Sequence, residues 1–290
     1  MKIAINVLLY ARFEHGRAVV QALLEEGAEH FYVFLDYPKT DEIVRIQGEI
    51  LAYLETVDSN RFTLVRHKRN LGLARSVRFA MDYAFREHDG AVLLEDDCVI
   101  RPGGLRFYID GLKNLKDNLR VRSLCGYLFP NCNFVFGPDD ELLMLQRFCT
   151  WGWATWADRW QDYEVSLKRI VSRFEENRLS VASFAQDMAI ICEHRDYLEG
   201  RKDIWSVPWI LNHYLTSSFA VYPRESVIEN IGFDGSGQNC ESTAAFGLTA
   251  QSSIIPFENW SHIPYYLENE QTVKSYMDLH GLKTYPGFSS

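Results

Sequence analysis

The sequence lacks several patterns that would mark a cysteine-ligated metalloprotein, a membrane protein or a common nucleotide-binding enzyme. Its six cysteines include no Cys-x-x-Cys pair, which excludes a zinc ribbon and a covalent haem site. No stretch approaches about 18 uncharged apolar residues, so no membrane-spanning helix is predicted. Neither Gly-x-Gly-x-x-Gly nor Gly-x-x-x-x-Gly-Lys-Ser/Thr occurs, so a dinucleotide-dependent dehydrogenase and a P-loop enzyme are set aside.

Positive charge is also in short supply. Lys and Arg number 30 against 39 Asp and Glu, which gives a net charge of −9. Because an acidic chain gains no affinity from counterion release, nucleic acid is not an expected partner. An anionic small ligand remains compatible, since a local basic pocket or a bound metal overrides the global sign.

The remaining composition is that of a globular protein. A chain of 290 residues that is 47% hydrophobic builds one large core, and its 14% aromatic content suits a core or the stacking of sugar rings. The N-terminal segment is too short and too polar for a signal peptide. We therefore expect a cytoplasmic protein, with a peripheral place at the membrane surface as the alternative.

Strand-like and helix-like segments alternate through the front part of the chain. Strands are predicted at 2–9, 30–35, 61–66 and 91–94, and helices at 15–26, 42–56 and 74–88. Short connections between alternating elements predict an α/β fold, with a Rossmann-like, mostly parallel sheet covered by helices on both faces.

The rest of the chain is less regular. Helices are predicted at 102–116, 165–177, 181–195 and 209–217, and strands at 122–128 and 219–222. No repeat or low-complexity linker separates two units, so residues 1–290 are predicted to form a single domain.

An acidic triplet, Glu95-Asp96-Asp97, follows the fourth predicted strand. Ligands of open parallel sheets bind at the carboxyl ends of the strands, and adjacent buried acids need a cation or hydrogen-bond donors. Hard oxygen ligands suit Mg²⁺ or Mn²⁺, which bridge to a diphosphate. A solvated acidic turn with a helix cap is the alternative.

Three segments together carry a family resemblance. The stretches 67–76 (HKRNLGLARS), 93–99 (LLEDDCV) and 151–156 (WGWATW) resemble GT-A fold glycosyltransferases, in particular bacterial sugar transferases related in fold to N-acetylglucosaminyltransferase type I. The likeness covers roughly residues 1–235. It implies a nucleotide-sugar-binding half at 1–125, and an acceptor half with a C-terminal tail at 126–290.

The resemblance also implies an activity. Such an enzyme moves a sugar from a nucleotide-diphosphate sugar to a saccharide or lipid-linked acceptor, with a divalent metal (Mn or Mg), in surface polysaccharide or glycan assembly. Asp97 is then the direct metal ligand. The expected donor contacts are Arg12, Asp36, His67, Asn70, Arg75, Glu95 and Asp96. Surface charge for Arg12 and Asp36, and a structural role for His67, are the alternatives.

Aromatic residues are expected to form the wall of a sugar site. These are Trp151, Trp153, Trp156, Trp205 and Trp209, with core packing of some of them as the alternative. Gly152 is expected to form a tight turn between the first two. Asp234 lies in a glycine-containing loop, 229–237, that resembles the segment closing over the donor, and it is a candidate sugar contact.

The catalytic base departs from the family pattern. Similar enzymes place an acid in a tryptophan-containing segment, but Ser206 stands there in this chain. A serine is no base without help, so Asp203 is the candidate base and Glu199 the fallback. Inverting and retaining mechanisms both stay open. His262 is either an additional metal ligand or structural.

Two other functions compete with sugar transfer. A sugar-phosphate nucleotidyltransferase uses a related sheet, but it carries a glycine-rich loop after the first strand, and residues 9–14 (LYARFE) contain no glycine. A non-catalytic sugar-binding subunit would keep the fold without turnover, and Ser206 is the feature that favours it.

Overall fold

The computed structural model describes residues 1–129, 134, 136–164, 166–177, 205–236, 257 and 259–264. Within these ranges the strands are β1 (Ile3–Leu9), β2 (Phe31–Leu35), β3 (Phe62–Arg66), β4 (Gly90–Glu95), β5 (Cys98–Ile100), β6 (Val121–Cys125), β7 (Leu142–Leu145), β8 (Trp153–Trp156), β9 (Phe219–Pro223) and β10 (Ile228–Asn230). The helices are α1 (Phe13–Glu25), α2 (Asp41–Leu54), α3 (Leu73–Ala84), α4 (Gly104–Asn114), α5 (Ala157–Gln161), α6 (Leu167–Glu176) and α7 (Ser206–Leu215).

The described part of the chain builds one large sheet with the strand order β3-β2-β1-β4-β8-β6-β9-β7. Strands β3, β2, β1 and β4 are parallel to one another, as are β6 and β9, while β8 and β7 run the opposite way. The expected mostly parallel, Rossmann-like α/β sheet is therefore confirmed.

The helices of the front half cover both faces of this sheet. The chain moves outward from β1 to β2 to β3 and then returns past β1 to β4. Because such crossovers are right-handed, α1 and α2 lie on one face and α3 on the other. Helix α1 buries Val19, Val20 and Leu23, three of the apolar positions that predicted it.

A separate two-stranded ribbon stands beside the end of β4. In it β5 pairs antiparallel with β10, and Cys98 lies opposite Asn230. The ribbon brings the segment after β10 against the acidic triplet, because the backbone N–H of Ile231 donates to the carbonyl of Asp97 at 2.9 Å. Two parts of the chain that are far apart in sequence thus meet at the carboxyl edge of the sheet.

The back half is shorter in its elements than the sequence pattern indicates. The predicted strand at 122–128 is β6, which ends at Cys125, and the tryptophan-rich segment forms β8, which was not predicted. The helix predicted at 181–195 lies outside the described residues. The single-domain organisation stays a prediction.

Candidate functional site

Three charged side chains form the centre of the candidate site, and we call them the Arg12 cluster: Arg12, Asp96 and Asp97. Arg12 is the residue before α1, directly after β1, and the two aspartates form the turn after β4. Nη2 of Arg12 donates to Oδ1 of Asp96, and also to Oδ2 of Asp97 at 2.9 Å. One guanidinium nitrogen therefore bridges both carboxylates.

The Arg12 cluster is largely removed from solvent. The side chain of Arg12 is 16% exposed, and those of Asp96 and Asp97 are each 12% exposed. The acidic turn is therefore not a solvated one, and the chain itself supplies the compensating donors. Burial opposes the charge on Arg12, but its bonds to the two carboxylates outweigh burial and raise its pKa.

The third acid of the triplet, Glu95, is the last residue of β4. Burial, the largest cause, and the negative charges of Asp97 and Asp96 together raise the pKa of its carboxyl from the ordinary 4.5 to about 8, against the opposing effect of Arg12. Burial also raises the pKa of Asp96, against the pull of Arg12. At neutral pH Glu95 is therefore mostly protonated.

This shift predicts a pH dependence of stability. Between about pH 4.5 and pH 8 the folded chain holds a proton on Glu95 that the unfolded chain releases. The protonated carboxyl therefore contributes to the free energy of unfolding at low pH, and this contribution is lost as the pH rises through the window. Glu95→Gln stays neutral and is expected to remove that loss. Urea unfolding from pH 5 to 8 measures it, with exposed Glu87→Gln as the control. A difference between wild type and Glu95→Gln that does not change with pH would contradict the assignment.

The loop after β10 lies directly over the Arg12 cluster. A Cβ on Gly232 would overlap Oδ2 of Asp97 and lie 3.0 Å from Nη1 of Arg12, so only glycine permits this close approach. His15, in the first turn of α1, lies with its Nε2 3.2 Å from both the carbonyl of Ile231 and Oδ2 of Asp234. The predicted residue Asp234 thus lies beside the cluster, with a side chain that is 49% exposed.

Asp36 organises the loop between β3 and α3 from inside the protein. Its carboxylate accepts hydrogen bonds from the backbone N–H groups of Leu71 and Gly72, both at 2.9 Å, and its Oδ1 lies 3.1 Å from Nδ1 of His67. The backbone N–H of Tyr37 also donates to it. Both oxygens of the Asp36 carboxylate thus accept hydrogen bonds from groups of the protein itself. This favours a structural role for Asp36, and its predicted contact with a base stays a prediction.

The same loop presents positive charge at its surface. Asn70 ties it down by donating to the carbonyl of Tyr37 at 2.7 Å. Lys68, Arg69 and Arg75 are exposed, the last in the first turn of α3. The structure therefore brings Asp36, His67 and Asn70 together beneath a basic edge.

Four of the five tryptophans that were predicted to form the wall of a sugar site are core residues instead. Trp153, Trp156, Trp205 and Trp209 are 0%, 1%, 3% and 0% exposed and lie in the core. Trp153 stacks on Trp205 with 5.0 Å between ring centroids, and Trp209 donates its indole N–H to Ser123 Oγ at 3.0 Å. Trp156 donates to the carbonyl of Leu112 at 2.8 Å. These side chains offer no face to a sugar.

Trp151 is different, because it is half-buried at the edge of the site. Its ring centroid lies 4.7 Å from that of Tyr127 and 5.1 Å from that of Phe233, the neighbour of Gly232 in the loop over the cluster. The tight turn predicted next to it is present, since Gly152 has a φ of +63°. A sugar contact of Trp151 remains a prediction.

The two candidates for the catalytic base, Asp203 and Glu199, lie outside the described residues. Ser206 is the first residue of α7 and is 7% exposed, so it does not face an open cleft. His262 is exposed, and its backbone N–H donates to Asn259 Oδ1 at 3.3 Å.

A divalent ion does not fit the Arg12 cluster as it stands. Among the described residues, no three His, Cys, Asp or Glu side chains lie together so as to hold a metal ion. An ion bound between Asp96 and Asp97 would need the position of Arg12 Nη2. The predicted role of Asp97 as a metal ligand therefore stays a prediction, and the position of Arg12 argues against it.

None of the described helices is long and apolar enough to cross a bilayer. Three cysteines, Cys98, Cys125 and Cys149, are buried free thiols. Burial raises the pKa of Cys125 to about 12, so this thiol stays protonated and acts as a small apolar side chain.

The comparisons with known proteins give remote similarities of fold. No protein-family model matches the sequence, and no curated protein matches it. Among solved structures, the chain is similar to a mannosyltransferase from Pyrobaculum calidifontis in complex with GDP-Man and Mn²⁺. The two are 17% identical, the match covers 44% of this chain and 36% of the mannosyltransferase, and the TM-score is 0.35.

Two further solved structures show the range of these similarities. Glucosyl-3-phosphoglycerate synthase from Mycobacterium tuberculosis, in complex with Mn²⁺, UDP and phosphoglyceric acid, is 9% identical over 54% of this chain and 56% of its own, with a TM-score of 0.33. UDP-glucose pyrophosphorylase from Acinetobacter baumanii is 13% identical over 57% of this chain and 79% of its own, with a TM-score of 0.37. The chain thus spans less than two thirds of the length of either transferase.

Proposed function

We propose that this protein transfers a sugar from a nucleotide-diphosphate sugar to a saccharide or lipid-linked acceptor. The observation that supports this most directly is the Arg12 cluster, placed after β1 and β4 at the carboxyl edge of the sheet. Open α/β sheets bind their ligands at this edge. The exposed cations Lys68 and Arg69 of the loop after β3, and Arg75 in the first turn of α3, lie at the same edge and would offset the charge of a diphosphate.

The reaction needs little more from the protein than positioning, one base and stabilisation of charge. The acceptor hydroxyl oxygen bonds to the anomeric carbon and its proton passes to the base, as the bond from that carbon to the diphosphate breaks. Negative charge grows on the departing diphosphate, where the enclosed and pre-positioned guanidinium of Arg12 would be more effective than an exposed one. For the base we retain Asp203, with Glu199 as the alternative, on sequence grounds. We assign Trp151 and Asp234 to sugar contacts. We also propose that the reaction takes place in the cytoplasm and serves the assembly of surface polysaccharide.

A panel of nucleotide sugars tests the reaction class. The full chain is incubated with each donor and with saccharide or lipid-linked acceptors, with Mn²⁺ and separately with EDTA. Release of nucleoside diphosphate from one donor supports sugar transfer. Release of pyrophosphate from a nucleoside triphosphate and a sugar phosphate would instead identify a nucleotidyltransferase. Donor binding without turnover on any acceptor would identify a binding subunit.

Arg75 is expected to contribute to donor affinity. Arg75→Ala should raise the KM for the donor about tenfold and change kcat little, because an exposed guanidinium that contacts phosphate binds ground state and transition state alike. Arg86→Ala is the matched control, since Arg86 is an exposed arginine beyond the opposite end of α3. Steady-state kinetics measures both variants. Equal KM values for Arg75→Ala and Arg86→Ala would remove Arg75 from the donor site.

A further inference from the structure

We propose that Arg12 is the resident cation of the acidic turn, so that Asp96 and Asp97 do not take up a divalent ion while Arg12 is present. The inference concerns ion binding alone and does not depend on the proposed sugar transfer. It differs from what the family resemblance implies, in which Asp97 binds a metal directly. Three features of the Arg12 side chain support it: its position, its charge and its enclosure.

The first feature is the position of the Arg12 guanidinium, which bridges the two carboxylates. A single nitrogen, Nη2 of Arg12, contacts a carboxylate oxygen of Asp96 and one of Asp97, the latter at 2.9 Å. An ion that bridges two carboxylates lies between their oxygens, and Mg²⁺ demands oxygen distances of about 2.0–2.1 Å in near-octahedral geometry. The guanidinium and the ion would therefore compete for one place.

Charge is the second feature. Arg12 contributes one positive charge against the two negative charges of Asp96 and Asp97. The three side chains are only 12–16% exposed, so this pairing is not the weak, solvent-screened pairing of surface residues. Displacing the guanidinium would leave a buried cation without its partners, which is strongly unfavourable. An incoming ion has to overcome that cost before it gains any ligand.

Enclosure is the third feature. The backbone at Gly232 packs so closely on the cluster that a Cβ there would overlap Asp97 Oδ2 and lie 3.0 Å from Arg12 Nη1. The remaining oxygen of Asp97, Oδ1, faces the thiol of Cys98 at 3.4 Å. Arg12 is fixed at its backbone as well, since its carbonyl accepts from Gly16 at 3.0 Å in the first turn of α1. The backbone at Gly232 thus covers the cluster on the side of the loop.

The test is Mn²⁺ binding, with no donor or acceptor present. Isothermal titration with Mn²⁺ compares wild type, Asp97→Asn, Arg12→Gln, Arg12→Lys and the double variant Arg12→Gln/Asp97→Asn. Arg12→Gln exposes the carboxylate pair and is expected to bind Mn²⁺ at least about tenfold more tightly than wild type. Arg12→Lys keeps a cation in place and should bind as weakly as wild type. The double variant should lose the site that Arg12→Gln creates.

Two results would overturn the proposal. One is a wild type that binds Mn²⁺ as tightly as Arg12→Gln, with that affinity lost in Asp97→Asn. The other is an unchanged Mn²⁺ affinity in Arg12→Gln. Thermal unfolding covers the case in which Arg12→Gln does not fold, because an ion that binds the native state raises its Tm. A Tm of the wild type that rises with Mn²⁺, but not in Asp97→Asn, then counts against the proposal, and an unchanged Tm in both supports it. None of these readouts uses transfer activity, so failure of the proposed function leaves the test intact.

Discussion

Asp97→Asn is expected to lower kcat/KM for sugar transfer by about 10²–10³-fold, which corresponds to roughly 3–4 kcal/mol of transition-state stabilisation. The substitution keeps the shape of the side chain but replaces the acceptor that faces Arg12 Nη2 at 2.9 Å with a neutral amide. Arg12 then loses one of the two carboxylates that hold it. Electrostatic stabilisation depends on groups that are already in place. A guanidinium that is held by only one carboxylate therefore loses most of its stabilising effect on the transition state.

Steady-state kinetics and thermal unfolding together test this expectation. The matched control is Asp110→Asn, which removes a carboxylate from a surface ion pair with Arg106 on α4. We expect Asp110→Asn to retain wild-type kinetics, and Asp97→Asn to lose activity while its Tm stays within a few degrees. An Asp97→Asn variant with activity within threefold of wild type would remove the Arg12 cluster from the reaction. The loss of activity alone does not distinguish a held guanidinium from a metal ligand. The Mn²⁺ titration does.

The front half of the fold could be predicted because local pattern and global position agree there. Strands β1 and β4 are nearly continuous buried apolar runs, and the helices between the strands repeat their apolar residues at helical spacing. The position of the acidic triplet followed from the same pattern, since a strand end in a parallel sheet is a predictable place. The pairing of Asp96 with Arg12 was not predictable, because 84 residues separate the two in sequence and only the neighbouring of β1 and β4 brings them together.

The tryptophan segment shows where polar neighbours mislead. Thr155 and Arg159 lie among the tryptophans in sequence, yet both are buried and their polar atoms are satisfied internally. The hydroxyl of Thr155 donates to the carbonyl of Arg122 at 2.7 Å, and the guanidinium of Arg159 donates to the carbonyl of Lys116 at 2.6 Å. β8 lies between β4 and β6, so both of its edges are paired, and all four of its residues are buried. His15 was missed as well, although its place one turn into α1, directly after β1, was the available signal.

Trp153→Ala is expected to lower the free energy of unfolding by about 3–5 kcal/mol, the usual cost of removing a large aromatic side chain from a core. Trp153 is 0% exposed and lies at the centre of the aromatic cluster beneath β8. Its ring centroid is 5.0 Å from Trp205, 5.4 Å from Phe148 and 5.7 Å from Trp209. These neighbours are themselves packed on all sides and cannot move into the space that the indole leaves, so the variant carries a cavity.

Urea unfolding of Trp153→Ala, Trp153→Phe and Trp151→Ala separates packing from any sugar contact. Trp153→Phe keeps a ring in the cluster and removes an indole N–H that has no hydrogen-bond partner among the described residues, so it should cost less than half as much as Trp153→Ala. Trp151→Ala removes a half-buried ring and should cost about 1–2 kcal/mol. If Trp153→Ala were as stable as wild type, the tryptophan could not be a core residue, and the wall that the sequence indicated would have to be reconsidered. A packed β8 requires Trp153→Ala to be the most destabilised of the three variants.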